Sequence, residues 1–116
     1  MAYKDSSVDY GFGQMGSIHI SGTTAATSND VTGMENAVFC AITFLEDTVF
    51  NNSLAGLTPE NSSNLFPGGT GMTSAGIDAD GGAITGTESF PKGVTIYGRW
   101  TSITLASGRV IAYVGY

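Results

Sequence analysis

The last twenty-seven residues, Phe90–Tyr116, constrain the fold of this chain more than any other segment. They are almost all apolar, β-branched, aromatic or turn-forming, and only Lys92, Arg99 and Arg109 carry charge. β-Branched and aromatic residues are enriched in strands, whereas Gly and Pro interrupt them. The segment therefore predicts β-sheet, and it holds no obvious chemistry.

Two turns divide this segment into three predicted strands. Pro91-Lys92-Gly93 precedes a strand over Val94–Arg99, and Ala106-Ser107-Gly108 has the pattern of a three-residue hairpin loop, with Gly108 in the left-handed conformation. The sequence thus predicts a three-stranded antiparallel meander at the C-terminus, with large apolar groups on both faces. The expected opposite pairs are Leu105 with Arg109, Ile103 with Ile111, Thr101 with Tyr113, Trp100 with Val114 and Thr104 with Val110.

The apolar run Val38–Leu45 is the best candidate for a core strand. By the two-residue period of a strand, both of its faces are apolar, which predicts a central strand covered on both sides. A buried helix would also be apolar all round, but the β-branched and aromatic content favours a strand. Cys40 lies within the run, and as the single cysteine it forms no internal disulfide. We expect it to be a small buried hydrophobe.

The whole chain, 1–116, is predicted to be one all-β domain, a small antiparallel sandwich or barrel. Residues 1–16 are interpreted as an extended arm and residues 17–50 as core strands, beginning with Ser17–Ile20. Residues 51–89 are rich in Gly, Asn, Ser and Thr and predict a Gly-rich central loop region, with a helical turn near Thr58-Pro59-Glu60. The C-terminal meander occupies residues 90–116.

Charge is sparse, at 12% of residues against about 25% in an average soluble protein. Interface cores are depleted in charge, so this composition indicates a chain that packs against neighbours. The alternative is a Thr- and Ser-rich soluble β domain. The net charge of −6 and the scattered cations argue against a nucleic-acid partner. The sequence also lacks a secretory signal and an apolar run of about 20 residues, which argues against a membrane partner.

Several apparent motifs lack the neighbouring elements or residues that their function requires. Gly11–Gly16 matches the dinucleotide-binding pattern GxGxxG, but a polar arm precedes it and a strand-like segment follows it instead of a helix. Asp78-Ala79-Asp80-Gly81 resembles the start of a calcium loop, yet position 89 is serine where an EF-hand needs glutamate. We therefore expect no cofactor and no metal.

The candidate catalytic residues are few. His19 is the only histidine, which excludes zinc sites built from several His and Cys residues. Glu46, Asp47 and Glu88 could serve as paired carboxylates in glycoside hydrolysis, but solvation at strand ends explains them, and a chain this small has little room for a cleft. The sequence therefore predicts that the protein is not an enzyme. The aromatic residues of the C-terminal segment can form either a core or a binding platform.

Three segments taken together carry a resemblance: Tyr10–Ser17, Ala41–Thr48 and Phe90–Tyr116. They are similar to small virion structural proteins of tailed phages, particularly phages of marine bacteria. The resemblance implies a capsid decoration or cement protein that binds the major capsid protein, self-associates, with a trimer favoured, and lies on the capsid surface of a virion assembled in the host cytoplasm. The alternative is a tail or head-fibre component that binds a host-surface glycan. The expected interface residues are Tyr10, Phe12, Met15, Tyr97, Trp100, Tyr113 and Tyr116.

Overall fold

The structure is a computed structural model that describes residues 16–52, 56–60, 67–68, 85 and 88–116. Within these ranges the chain is nearly all β, which confirms the predicted all-β antiparallel sandwich or barrel. Its elements are β1 (Ser17–Ile20), β2 (Ala26–Thr27), α1 (Ser28–Thr32), β3 (Val38–Phe44), β4 (Thr48–Phe50), β5 (Leu57–Pro59), β6 (Ser89–Phe90), β7 (Thr95–Ile103), β8 (Leu105–Ser107) and β9 (Val110–Gly115).

Two antiparallel sheets enclose the core. The larger sheet has the strand order β1-β9-β3-β7-β2, and β5 also pairs with β7. Trp100 of β7 pairs with Phe39 of β3 and with Pro59 of β5, so these two strands lie on opposite sides of β7. The smaller sheet has the order β6-β4-β8. The predicted arm lies outside the described residues up to position 15, as does most of the Gly-rich region.

The predicted central strand is confirmed as β3, which lies between β9 and β7. Its register shifts between Phe39 and Ala41. Against β9 the extra residue is Cys40, which is a β-bulge in β3, whereas against β7 the extra residue lies in β7, between Tyr97 and Trp100. The extra residue in β3 resets the two-residue alternation, so Phe39, Ile42 and Phe44 all reach the core. Ala41 and Thr43 then lie on the outer face of the sheet, where Ala41 is buried (2% exposed) and Thr43 is half-buried.

Aromatic rings join the two sheets at one end of the core. The rings of Phe44 in β3 and Phe90 in β6 are stacked with centroids 4.9 Å apart. Phe50 in β4 meets both of them edge-on, at 5.9 and 5.5 Å. Such pairs contribute about 0.5–1.5 kcal/mol each beyond the area they bury. The cluster therefore fixes the small sheet against the large one.

The pairing expected for the C-terminal meander is wrong. β7 and β9 do not pair with each other; each pairs with β3, so Ile111 lies opposite Thr43 and Ile103 lies opposite Ala26 and Leu57. The chain leaves the large sheet at Thr104, and β8 pairs with β4 in the small sheet. The physical reason is that β3, apolar on both faces, is buried best between two neighbours.

Of two further local predictions, strand β1 is confirmed and the helical turn near Thr58 is wrong. β1 is confirmed, with Ile20 buried and Ile18 packed against the core. Thr58 and Pro59 belong to strand β5, so the helical turn expected there is wrong. Pro59 lacks a backbone N–H and therefore suits an edge strand such as β5. Residues 28–32 form the short helix α1, which ends at Gly33 in the left-handed conformation (φ 69°).

The turn at Gly108 has the predicted left-handed conformation, although it connects the two sheets instead of closing a hairpin. Its φ is +95°, and a Cβ at this position would lie 2.7 Å from the carbonyl oxygen of Asp47 and would also clash with Thr48. The site thus excludes a side chain for two independent reasons, backbone strain and lack of space.

We expect Gly108→Ala to lower the free energy of unfolding by about 3 kcal/mol, from left-handed strain of about 1–2 kcal/mol and overpacking of about 1–3 kcal/mol. Gly93→Ala is the matched control, because Gly93 has a φ of +91° with no heavy atom within 4 Å of the added Cβ. That variant should lose about 1 kcal/mol from strain alone. Urea unfolding measures both losses, and equal losses would contradict the steric account.

Candidate binding surface

The structure separates the predicted interface residues. Tyr97 and Tyr116 are 62% and 56% exposed, Tyr113 is half-buried, and Trp100 is fully buried in the core. Tyr10, Phe12 and Met15 lie outside the described residues. The two alternatives considered for the C-terminal aromatics thus apply to different residues: Trp100 packs in the core, whereas the tyrosines remain accessible.

Trp100 is held in the core by its packing and by one hydrogen bond. Its indole Nε1 donates to the carbonyl oxygen of Pro67 at 2.8 Å. The ring lies over Gly98, where a Cβ would stand 2.6 Å from the indole Cζ2. Tyr97 is exposed while Trp100 lies in the core, so the two residues have different roles.

The outer face of the large sheet carries a shallow hollow, which we call the tyrosine hollow. Ala41 in β3 pairs with Tyr97 of β7 on one side and with Tyr113 of β9 on the other. Strands are spaced about 4.8 Å apart, so the Cα atoms of the two tyrosines are roughly 10 Å apart across the small Ala41 side chain. The hollow has a volume of about 290 Å³, and its lining residues are Ala41, Thr43, Thr95, Tyr97 and Tyr113.

A pair of hydroxyls forms the polar part of the tyrosine hollow. The Oγ1 atoms of Thr43 and Thr95, opposite each other in the register, are 2.8 Å apart and hydrogen-bonded. That bond uses one O–H donor, so the pair retains one donor and several lone pairs. The hollow therefore combines aromatic rings with a hydroxyl group that can donate and accept.

Beside the hollow, Arg99 forms a two-pronged ion pair with Glu60. Nε and Nη2 of Arg99 donate to the two carboxylate oxygens of Glu60 at 2.6 and 2.8 Å, and Nη1 donates to the carbonyl oxygen of Tyr116. The hydrogen bonds from Arg99, together with its charge, hold the pKa of Glu60 below its ordinary value. The same hydrogen bonds raise the pKa of Arg99. The pair links β7, the residue after β5 and the C-terminal residue.

Glu60→Gln should lower the free energy of unfolding by about 0.2–1 kcal/mol at neutral pH, because the pair is partly exposed. The folded-state pKa of Glu60 is depressed, so its stabilisation is present above the ordinary value of 4.5 and is lost as pH falls through the lowered pKa. The difference between wild type and variant should therefore vanish at low pH. Urea unfolding across pH measures it, and a difference that persists in acid would contradict the ion-pair account.

A second surface, which we call the C-terminal patch, consists of Val31, Met34 and Tyr116. The Tyr116 hydroxyl donates to the sulfur of Met34 at 3.7 Å. Val31 on α1 is 45% exposed, and Met34 follows the Gly33 that ends the helix. The three side chains are uncharged, and Arg99 stands between this patch and the tyrosine hollow, since it follows Tyr97 by two residues and binds the Tyr116 carbonyl.

The carboxylates considered for hydrolysis stabilise turns. Arg109 pairs with Glu46 at 2.9 Å, and the backbone N–H of Lys92 donates to Asp47 at 3.0 Å. Glu88 is exposed next to β6. These contacts tie the β3–β4 corner to the turns around Lys92 and Gly108, which agrees with a structural role at strand ends.

Besides the carboxylates, the candidate reactive side chains are those of His19 and Cys40. His19 is exposed on β1 opposite Ile111. Cys40 is half-buried, not fully buried as expected, because it is the bulged residue of β3; its thiol donates to the carbonyl of Tyr113 at 3.4 Å. Among the described residues, no group of three or more His, Cys, Asp or Glu side chains could hold a metal ion.

The described part of the chain contains no helix that is both long and apolar enough to cross a membrane. No protein-family model, curated protein sequence or solved structure matches the chain.

Proposed function

We propose that this chain is a non-catalytic structural protein of a tailed-phage particle, a decoration or cement protein that binds the assembled major capsid lattice. The single observation that supports it best is the C-terminal patch, where Tyr116 exposes 56% of its surface and contacts Met34. Tyrosine is enriched among the residues that dominate binding energy in interfaces. The resemblance to virion proteins supports the same assignment.

The charge distribution favours a protein partner over nucleic acid. Two of the described cations, Arg99 and Arg109, are ion-paired with Glu60 and Glu46. Interface cores are depleted in charge, and unpaired charges are costly to bury. A surface whose arginines are already ion-paired can dock on a protein at little desolvation cost, but it offers little to phosphates.

Docking on a capsid needs only moderate affinity per site. A capsid presents many identical sites, and a self-associated decoration protein, with a trimer favoured, binds several of them at once, so weak contacts are reinforced. In this proposal the chain is assembled in the host cytoplasm and ends on the capsid surface.

The direct test is co-sedimentation of the purified chain with expanded empty capsids of the phage that encodes it. The proposal expects saturable binding that persists at high salt, because the side chains of the C-terminal patch are uncharged. Capsids that sediment without the chain at every salt concentration would refute capsid docking.

The alternative is a tail or head-fibre component that binds a host-surface glycan. The tyrosine hollow favours it, because Tyr97 and Tyr113 present aromatic surface beside hydroxyls. Binding to glycans without binding to capsids would select this alternative over decoration.

A further inference from the structure

We propose that the tyrosine hollow is a binding site for a neutral saccharide. The inference names the ligand class of the glycan-binding alternative and rests on that alternative. The hollow and the C-terminal patch have no residue in common.

The first argument is size and shape. The hollow has a volume of about 290 Å³, close to the lower limit of roughly 300 Å³ for ligand pockets in proteins. It lies on the outer face of the sheet, where Tyr97 and Tyr113 flank the buried Ala41 in the register. This space accepts a flat, compact group such as a sugar ring and does not enclose a long chain.

The second argument is the pairing of aromatic and hydroxyl groups. The face of a tyrosine ring carries partial negative charge and attracts the polarised C–H groups that a sugar presents on one side. The Thr43–Thr95 pair can both donate and accept hydrogen bonds, as sugar hydroxyls do. A purely apolar ligand would displace water from these hydroxyls without replacing its hydrogen bonds, and binding would be weaker for that reason.

The third argument is charge. All five described residues that line the hollow are uncharged. The nearest cation along β7 is Arg99, which is held by Glu60 and by the Tyr116 carbonyl. An acidic sugar would therefore find no counter-charge among the described residues that line the hollow. Nucleobases also stack on tyrosine, but nucleic-acid backbones need cations that this surface does not supply.

The test begins with the full-length chain on a glycan array that carries neutral and acidic saccharides, followed by titration of the strongest neutral glycan. We expect neutral glycans to bind, with an affinity that changes little between low and high salt. A blank array, or binding confined to acidic glycans and abolished by salt, would overturn the proposal.

Variants of Tyr97 then locate the site. Tyr97→Ala should weaken binding about tenfold, since one aromatic contact contributes up to about that factor. Tyr97→Phe keeps the ring and should remain within about threefold of wild type. Val94→Ala is the control, because Val94 is 40% exposed and does not line the hollow. Unchanged binding by Tyr97→Ala, or equal losses in Tyr97→Ala and Val94→Ala, would overturn the assignment.

Failure of the saccharide proposal can be distinguished from failure of the capsid-docking proposal. Tyr97→Ala should still co-sediment with expanded capsids, and the fluorescence of Trp100, the single tryptophan, reports whether each variant is folded. A folded Tyr97→Ala variant that loses both activities would show that the hollow is part of the protein interface, which also overturns the proposal.

Discussion

Trp100→Ala is expected to lower the free energy of unfolding by about 3–5 kcal/mol, the usual cost of deleting a large aromatic side chain from a core. Trp100 is fully buried, packs in the core with Phe39 of β3, and satisfies the Pro67 carbonyl through its indole nitrogen. Small domains have total stabilities of only about 5–15 kcal/mol. The variant should therefore be marginally folded or unfolded at room temperature.

Urea unfolding followed by circular dichroism measures this loss. Trp100→Phe is the companion variant: it keeps much of the ring volume but removes the Nε1 donor, so it should lose less than Trp100→Ala, about 1–3 kcal/mol. In the wild type, fluorescence of the single tryptophan should shift to longer wavelength on unfolding. A Trp100→Ala variant as stable as wild type would contradict the core assignment.

Tyr116→Ser is expected to weaken binding to expanded capsids by about thirtyfold or more, because truncation of a hot-spot tyrosine typically costs at least about 2 kcal/mol. The substitution keeps the backbone carbonyl that Arg99 binds and removes only the exposed ring and its contact with Met34. Stability should change little, since the side chain is 56% exposed. Co-sedimentation over a range of chain concentrations measures the affinity.

Tyr97→Ser is the matched control for this substitution. Tyr97 is an exposed tyrosine of similar accessibility, 62%, but it belongs to the tyrosine hollow and not to the C-terminal patch. It should co-sediment like wild type while losing saccharide binding. Equal losses of capsid affinity in both variants would show that docking depends on general surface hydrophobicity rather than on the C-terminal patch.

The sequence predicted strands better than strand partners. β3 was found because an eight-residue run, apolar on both faces, has few other solutions in a small domain. The turn at Gly108 was also found, because turn chemistry is local. One partner of β7 is β3, whose residue Phe39 lies far away along the chain from Trp100, and no local pattern encodes that pairing.

The bulge at Cys40 explains a further part of the difference between the predicted and the observed fold. Strict alternation in the run Val38–Leu45 assigns Phe39 and Ile42 to opposite faces, whereas the one extra residue that β3 has against β9 brings both into the core. A bulge leaves little signal in a run where every residue is apolar. The same residue, displaced from the regular pleat, is for this reason only half-buried.

The candidate site was predictable in part. The aromatic content of the C-terminal segment singled out Tyr97, Tyr113 and Tyr116, which the structure leaves accessible. The tyrosine hollow, however, also needs Ala41 and Thr43 from a distant strand, and these become its floor only through the register of β3 with β7 and β9. Composition cannot reveal such a combination, because it depends on which strands become neighbours.

An image reconstruction of the phage particle tests the central claim most directly, since it locates this chain relative to the major capsid protein. The account predicts the chain on the outer capsid surface, with Tyr116 and Val31 against the shell and the rings of Tyr97 and Tyr113 facing solvent. A chain found only in the tail or fibres, or a capsid contact formed by the tyrosine hollow with the C-terminal patch in solvent, would contradict it.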